Sequence, residues 1–233
     1  MIAYRFRIIL VVVLIGITGC ASTHSGGNTK IDLVPMYGEV DRSANPELRT
    51  GDERFIESVT KEFGSREEAS KQFVDKGFRY YNEDKFDMAM RRFNQAWLLN
   101  PDNPEVYQGF AAIIYDKGNN CESMRFLDLG LEKDLSQLGP SLPGFLADAG
   151  MITSHCAMET NNSKLIEKSD KLFHDAEEIK PSAYLYDKWW QALYWQGEYS
   201  DAWERVFLMR KYGGSPHEMS LNELRKKMPE PRK

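Results

Sequence analysis

The sequence predicts an all-α protein, a solenoid of about four stacked helical hairpins. Three observations predict it. From Ser70 to Asn103, large, small, aromatic and turn residues fall at the steps of a repeat of about 34 residues. Looser copies of the same pattern follow it along the chain. Glycine and proline stand between the copies, where helices must stop.

The first unit is the most complete. Two helices crossing at a shallow angle need small residues where their backbones approach and large ones to plug the remaining space. Gly77 and Ala89 are the contact pair expected between the helices, and Phe73, Tyr80, Phe86 and Phe93 supply apolar area that neither helix buries alone. Each such side chain contributes about 1.5–3 kcal/mol when fully covered. Ala96, Leu99 and Pro101 complete the register. Ser65 with Glu68 forms a capping-box pattern that opens the unit, after a helical stretch from Glu53 to Phe63.

Asn103 is suited to cap the next helix, with Pro104 at its first position, where the missing amide proton costs nothing. The second unit reads Tyr107, Phe110, Ala111, Ile114, Gly118, Ser123, Leu127 and Gly130. Gly139, Pro140 and Pro143 stop the chain between Leu138 and Pro143, an insertion between repeats. The third unit carries Ala157, Ser169, Phe173, Ala176 and Pro181, with polar Thr153 and Thr160 in place of aromatics. The fourth has Tyr186, Leu193, Gly197, Tyr199, Ala202 and Val206, and Gly213 and Gly214 suit its C-terminal end.

This register resembles the tetratricopeptide repeat, over roughly residues 65 to 213. The resemblance implies a binding scaffold whose first helices line a concave groove. Carried across by register, the groove positions are Phe78, Tyr81, Tyr115, Asp116, Met158, Tyr184, Asp187, Tyr194 and Trp195. Aromatic residues dominate, and rigid aromatic faces bury much area at small entropic cost. Trp189, Trp190 and Trp203 are assigned to the core. Val74 and Phe78 stand where family members that clamp a terminal carboxylate need Lys and Asn, which argues against that mode of binding.

The N-terminal end speaks to location. Arg5 and Arg7 precede the apolar run Ile8 to Ile17, too short for a bilayer that needs about 20 residues, so residues 1–19 read as a signal peptide. Ile17, Thr18, Gly19 and Cys20 resemble the lipobox of bacterial lipoproteins. That resemblance implies a Cys20 bearing diacylglycerol and an N-acyl chain, and the Ala21 and Ser22 that follow it imply the outer membrane, facing the periplasm. Several acyl chains anchor stably where one binds reversibly, at about 0.8 kcal/mol per buried methylene. Residues 20–64 read as a lipid-anchored linker with a short helix, the Ser, Gly, Asn and Pro of Ala21 to Thr50 making a flexible spacer. Within it, Val34 to Tyr37 has the alternative reading of a docking strand. Residues 214–233 form a tail with Arg225, Lys226, Lys227, Arg232 and Lys233, the pattern of a solvated end.

Charge narrows the partners. The chain holds 30 Lys and Arg against 35 Asp and Glu, a formal net of −5. Loss of Arg5 and Arg7 with the signal peptide takes that to −7, a poor match to nucleic acid or anionic lipid.

No residue pattern carries catalysis. His24, His155, His174 and His217 lie in separate segments without metal-ligand spacing. Phosphate loops, Gly-x-Ser-x-Gly turns and His-Glu-x-x-His helices are all missing from the sequence. His155 and Cys156 point about 100° apart on a helix, as packing residues rather than a nucleophile pair. The expectation is a non-enzyme with no metal and no small-molecule cofactor. With Cys20 lipidated, Cys121 and Cys156 remain as thiols in an oxidising compartment, in adjacent layers of the stack. A disulfide and two separately buried thiols are both open to them.

The expected function is a periplasm-facing scaffold that binds an envelope protein or peptide segment, touching the membrane only through its lipid. Alternatives are a structural subunit of a pilus, secretion or cell-wall assembly, and a glycan-binding or hydrolytic envelope protein.

Overall fold

A computed structural model describes residues 30 to 232. The residues read as signal peptide and lipobox, Cys20 included, lie outside the described residues. Within them, ten α-helices form a tetratricopeptide-type solenoid, and no strand is present. Four hairpins stack in chain order: α2 (Arg66–Asn82) with α3 (Phe86–Leu99), α4 (Pro104–Asp116) with α5 (Asn120–Leu131), α6 (Leu142–Thr160) with α7 (Ser163–Ile179), and α8 (Ala183–Gln196) with α9 (Tyr199–Lys211). Helix α1 (Pro46–Phe63) packs on the first hairpin, and α10 (Glu218–Lys227) follows the last.

Local chemistry sets the boundaries. The Ser65 hydroxyl accepts from the Glu68 amide at 3.0 Å, and Asn103 Oδ1 accepts from the Glu105 amide at 3.0 Å, so two anticipated caps open α2 and α4. Asn45 caps α1 in the same way, with Pro46 at the first position. That helix therefore starts well before Glu53. Gly197, at φ 86°, ends α8 in the left-handed region that glycine adopts without a Cβ clash.

The core runs through all four hairpins. Phe93, Phe110, Phe145, Phe173, Trp190 and Trp203 are fully covered, and Trp189 nearly so. Ala89 is also fully buried, but the side chain that requires Gly77 is Phe93: a methyl on Gly77 would fall 2.4 Å from its ring. Buried serines tie helices to their neighbours. Ser70, Ser123 and Ser169 donate to the carbonyls of Ala96, Ala111 and Gly150 at 2.7–2.9 Å, which lets helices pack closely without stranding a hydroxyl.

Two flanking segments differ from the sequence expectation. In the stretch read as spacer, the 3-10 turns Ile31–Leu33 and Pro35–Glu39 dock on α3 and the turn Arg42–Ala44 packs on α1. Buried Asn94 accepts from the Tyr37 amide at 3.1 Å and donates to the carbonyls of Asp32 and Val34 at 3.2 and 2.8 Å. Arg91 pairs with Asp32 at 2.7 Å, and Arg42 lies 3.9 Å over the Tyr37 ring. The tail is likewise packed rather than solvated: Leu221 and Leu224 are buried, and the Trp203 indole donates to the Met228 carbonyl at 3.0 Å. In both places long-range packing holds a segment whose local composition reads as a loose end.

Candidate binding groove

The first helices of the hairpins, α2, α4, α6 and α8, present a common face on which two cavities meet. The first encloses about 340 Å³. Phe78 and Tyr81 of α2, Tyr115 and Asp116 of α4, Asp148 of α6, and Tyr184 and Lys188 of α8 form its walls, above a floor that includes Ala111, Leu127 and Ile152. Phe78 stands edge-on to buried Phe93, with centroids 5.0 Å apart, so this wall is braced by the core of the first hairpin.

Asp148 organises the far side. Its carboxylate accepts from the Tyr184 hydroxyl at 2.6 Å and the Gln108 amide at 2.8 Å, and Lys188 Nζ lies 3.9 Å away. Although the Tyr184 residue is about half exposed, its hydroxyl end turns onto Asp148, and burial there, followed by the Asp148 charge, pushes that hydroxyl far above its ordinary pKa. On the near side, burial and then a hydrogen bond to Asp116 raise the Tyr81 hydroxyl in the same direction. Both hydroxyls stay protonated, and that of Tyr184 is committed as a donor to Asp148. The lining combines aromatic rings with two carboxylates, Asp116 and Asp148, and one cation, Lys188.

The second cavity, about 460 Å³, shares Tyr115 and Asp116 with the first and extends to Asn120, His155, Met158, Glu159 and Trp195. The Tyr115 ring stacks on His155 at 5.6 Å, with 2.9 Å between its hydroxyl oxygen and His155 Nδ1. Trp195 meets the same imidazole edge-on at 5.8 Å and is 60% exposed. Burial lowers the His155 pKa, opposed by Glu159 and aided by Lys188, so this wall is neutral at physiological pH. Beside it, a disulfide joins Cys121, at the start of α5, to Cys156 of α6, with Cα atoms 4.7 Å apart.

Of the groove positions expected from register, Phe78, Tyr81, Tyr115, Asp116, Met158, Tyr184 and Trp195 line one or both cavities. Asp187 and Tyr194 line neither. On α8 they are rotated by about 60° and 80° from Tyr184, whereas Lys188 and Trp195 lie within about 40° of it. Asp187 instead accepts from the Trp190 indole and the Gln191 amide, each at 3.0 Å, and Tyr194 packs on Tyr199 at 5.9 Å. Register reasoning missed Asp148, Gln108, Lys188 and His155. Asp148 had a legible signal, being the lone carboxylate in the apolar run from Leu142 to Ile152.

The fold is all-α, a stack of helical hairpins consistent with a solenoid of tetratricopeptide type. No protein-family model matches the chain. Over 104 residues, 43% of this chain, it is 30% identical to the mitochondrial import receptor subunit TOM70 of Saccharomyces cerevisiae, in strains YJM789 and S288c alike. The chain spans 17% of the length of that receptor subunit. Among the described residues no group of three or more His, Cys, Asp or Glu is placed to hold a metal ion, and no helix is long and apolar enough to cross a membrane.

Proposed function

We propose that this chain is a lipid-anchored scaffold of a bacterial envelope, tethered through Cys20 and holding an extended segment of another envelope protein along the groove of α2, α4, α6 and α8. One observation carries the binding role: two aromatic-walled cavities meet at Tyr115 and Asp116, making one continuous recognition surface across all four hairpins. Exposed Trp195, Tyr184 and Met158 at its rim give a partner large apolar faces to cover. The sequence match to a receptor subunit supports a binding role over catalysis. The anchoring rests on the signal peptide and lipobox of residues 1–20.

In-cell photo-crosslinking from position Tyr115 tests the groove. A dominant envelope protein among the adducts supports the scaffold, and the absence of adducts in normally expressed and localised protein counts against it. Cys20→Ser tests the anchor: lipid labelling should disappear, and labelling that persists removes the lipoprotein reading without touching the groove.

A further inference from the structure

We infer that the groove recognises a positively charged side chain, so that its partner is a segment presenting an arginine or lysine to Asp116 between the rings of Tyr81 and Tyr115. The inference rests on the groove reading above and names the chemistry of its ligand.

Charge complementarity carries it. Three carboxylates, Asp116, Asp148 and Glu159, line the two cavities, and Lys188 is the one lysine or arginine among the lining residues. Lys188 is already engaged, 3.9 Å from Asp148 and 5.1 Å from the centre of the Tyr184 ring. Among the described residues Asp116 and Glu159 have no ion-pair partner, while the Tyr81 hydroxyl and the Asn120 amide orient them. The half of the groove around Lys188 thus shows how this surface holds a cation: a carboxylate on one side and a tyrosine face on the other. The half around Asp116 offers the same groups, a carboxylate with the Tyr81 and Tyr115 rings lining the same cavity. The Tyr81 hydroxyl interacts with Asp116 and the Tyr115 hydroxyl is paired with His155, so an anionic ligand would meet like charge without compensating hydrogen bonds. A guanidinium or ammonium would meet a carboxylate and two ring faces.

The test uses the full chain and three pools of short synthetic peptides, identical in their randomised flanks and carrying a central Arg, Gln or Glu, with binding read by fluorescence polarisation. The Arg pool should bind about tenfold tighter than the Gln pool, the effect of one cation–π contact with a charge pair, and the Glu pool weakest. Asp116→Asn should erase the Arg advantage, bringing Arg-pool binding to the level of the Gln pool measured on the same variant. Because Asp116 is exposed, the melting temperature should stay as in the parent. Equal binding of the Arg and Gln pools, or an Arg advantage that survives Asp116→Asn, overturns the inference and leaves the groove standing. Failure of every pool to bind also overturns it. Adducts from Tyr115 then decide whether the groove reading falls too.

Discussion

The Phe93 ring fills the space that a side chain at Gly109 would need: a methyl built there lies 2.4 Å from two ring carbons. The ring is fully buried and touches Gly77 as closely on the other side, so it has nowhere to retreat. Phe93 is therefore the wedge between the first hairpin and the second, and the two glycines are the slots that admit it. Gly109→Ala should destabilise the protein by about 1–3 kcal/mol through overpacking, read from urea unfolding. Phe93→Leu in the same background should cost less than the sum of the two single changes, because a smaller side chain relieves the clash. Additive costs would mean that ring and glycine are not in contact.

Asn94 holds the segment from Asp32 to Tyr37 with all three of its backbone partners. Asn94→Ala should expose those peptide groups, cost about 1–3 kcal/mol, and open the segment to proteases while the hairpins stay folded. Met36, Tyr37 and Glu39 have φ values of 52°, 52° and 59°, a left-handed backbone that non-glycine residues keep only when held. Hydrogen exchange at Tyr37 as slow in the variant as in the parent would show that Asn94 is not what holds it.

Cys121 and Cys156 close a loop between residues 35 apart. Chain entropy predicts that reduction, or Cys121→Ser with Cys156→Ser, lowers stability by about 3–4 kcal/mol. Non-reducing peptide mapping should recover the two cysteines in one linked fragment, and two alkylatable thiols in oxidised protein would remove the bond.

His155 makes stability depend on pH in a stated direction. Burial lowers its folded pKa, so as pH falls through about 6.5 the unfolded chain takes up a proton that the folded chain refuses. Its contribution is therefore fully present above that pH and is lost as pH falls toward the depressed folded value. His155→Gln should melt with a flatter pH dependence than the parent between about pH 7.5 and about pH 5.5. The raised carboxyls of Glu105 and Asp170 are common to both proteins and cancel in the comparison. Parallel curves would show that His155 titrates normally.

The repeat was legible because its determinants are local. Gly77, Phe93 and Pro101 recur at fixed steps, and Ser65 and Asn103 carry their own capping chemistry, so neither needs knowledge of distant contacts. The groove was legible where register alone sets direction, as at Phe78, Tyr81 and Tyr115. On α8 register placed Tyr184 and Trp195 but not Asp187 and Tyr194, which are rotated about 60° and 80° from Tyr184, whereas Lys188 lies within about 40° of it on the other side. Asn45–Pro46 repeats the Asn103–Pro104 signal and could have placed the start of α1.

An all-α chain of repeated hairpins, its caps and breaks, and the aromatic character of its first helices follow from residue order alone. These follow from side-chain size and period within a few turns of helix. It took the packed chain to settle that residues 31–39 dock on α3, that Asp148 and Tyr184 meet at 2.6 Å, and that Cys121 lies beside Cys156. Each of those joins residues about 35 or more positions apart. Their encounter depends on how four hairpins stack, a sum of packing choices that no local pattern encodes.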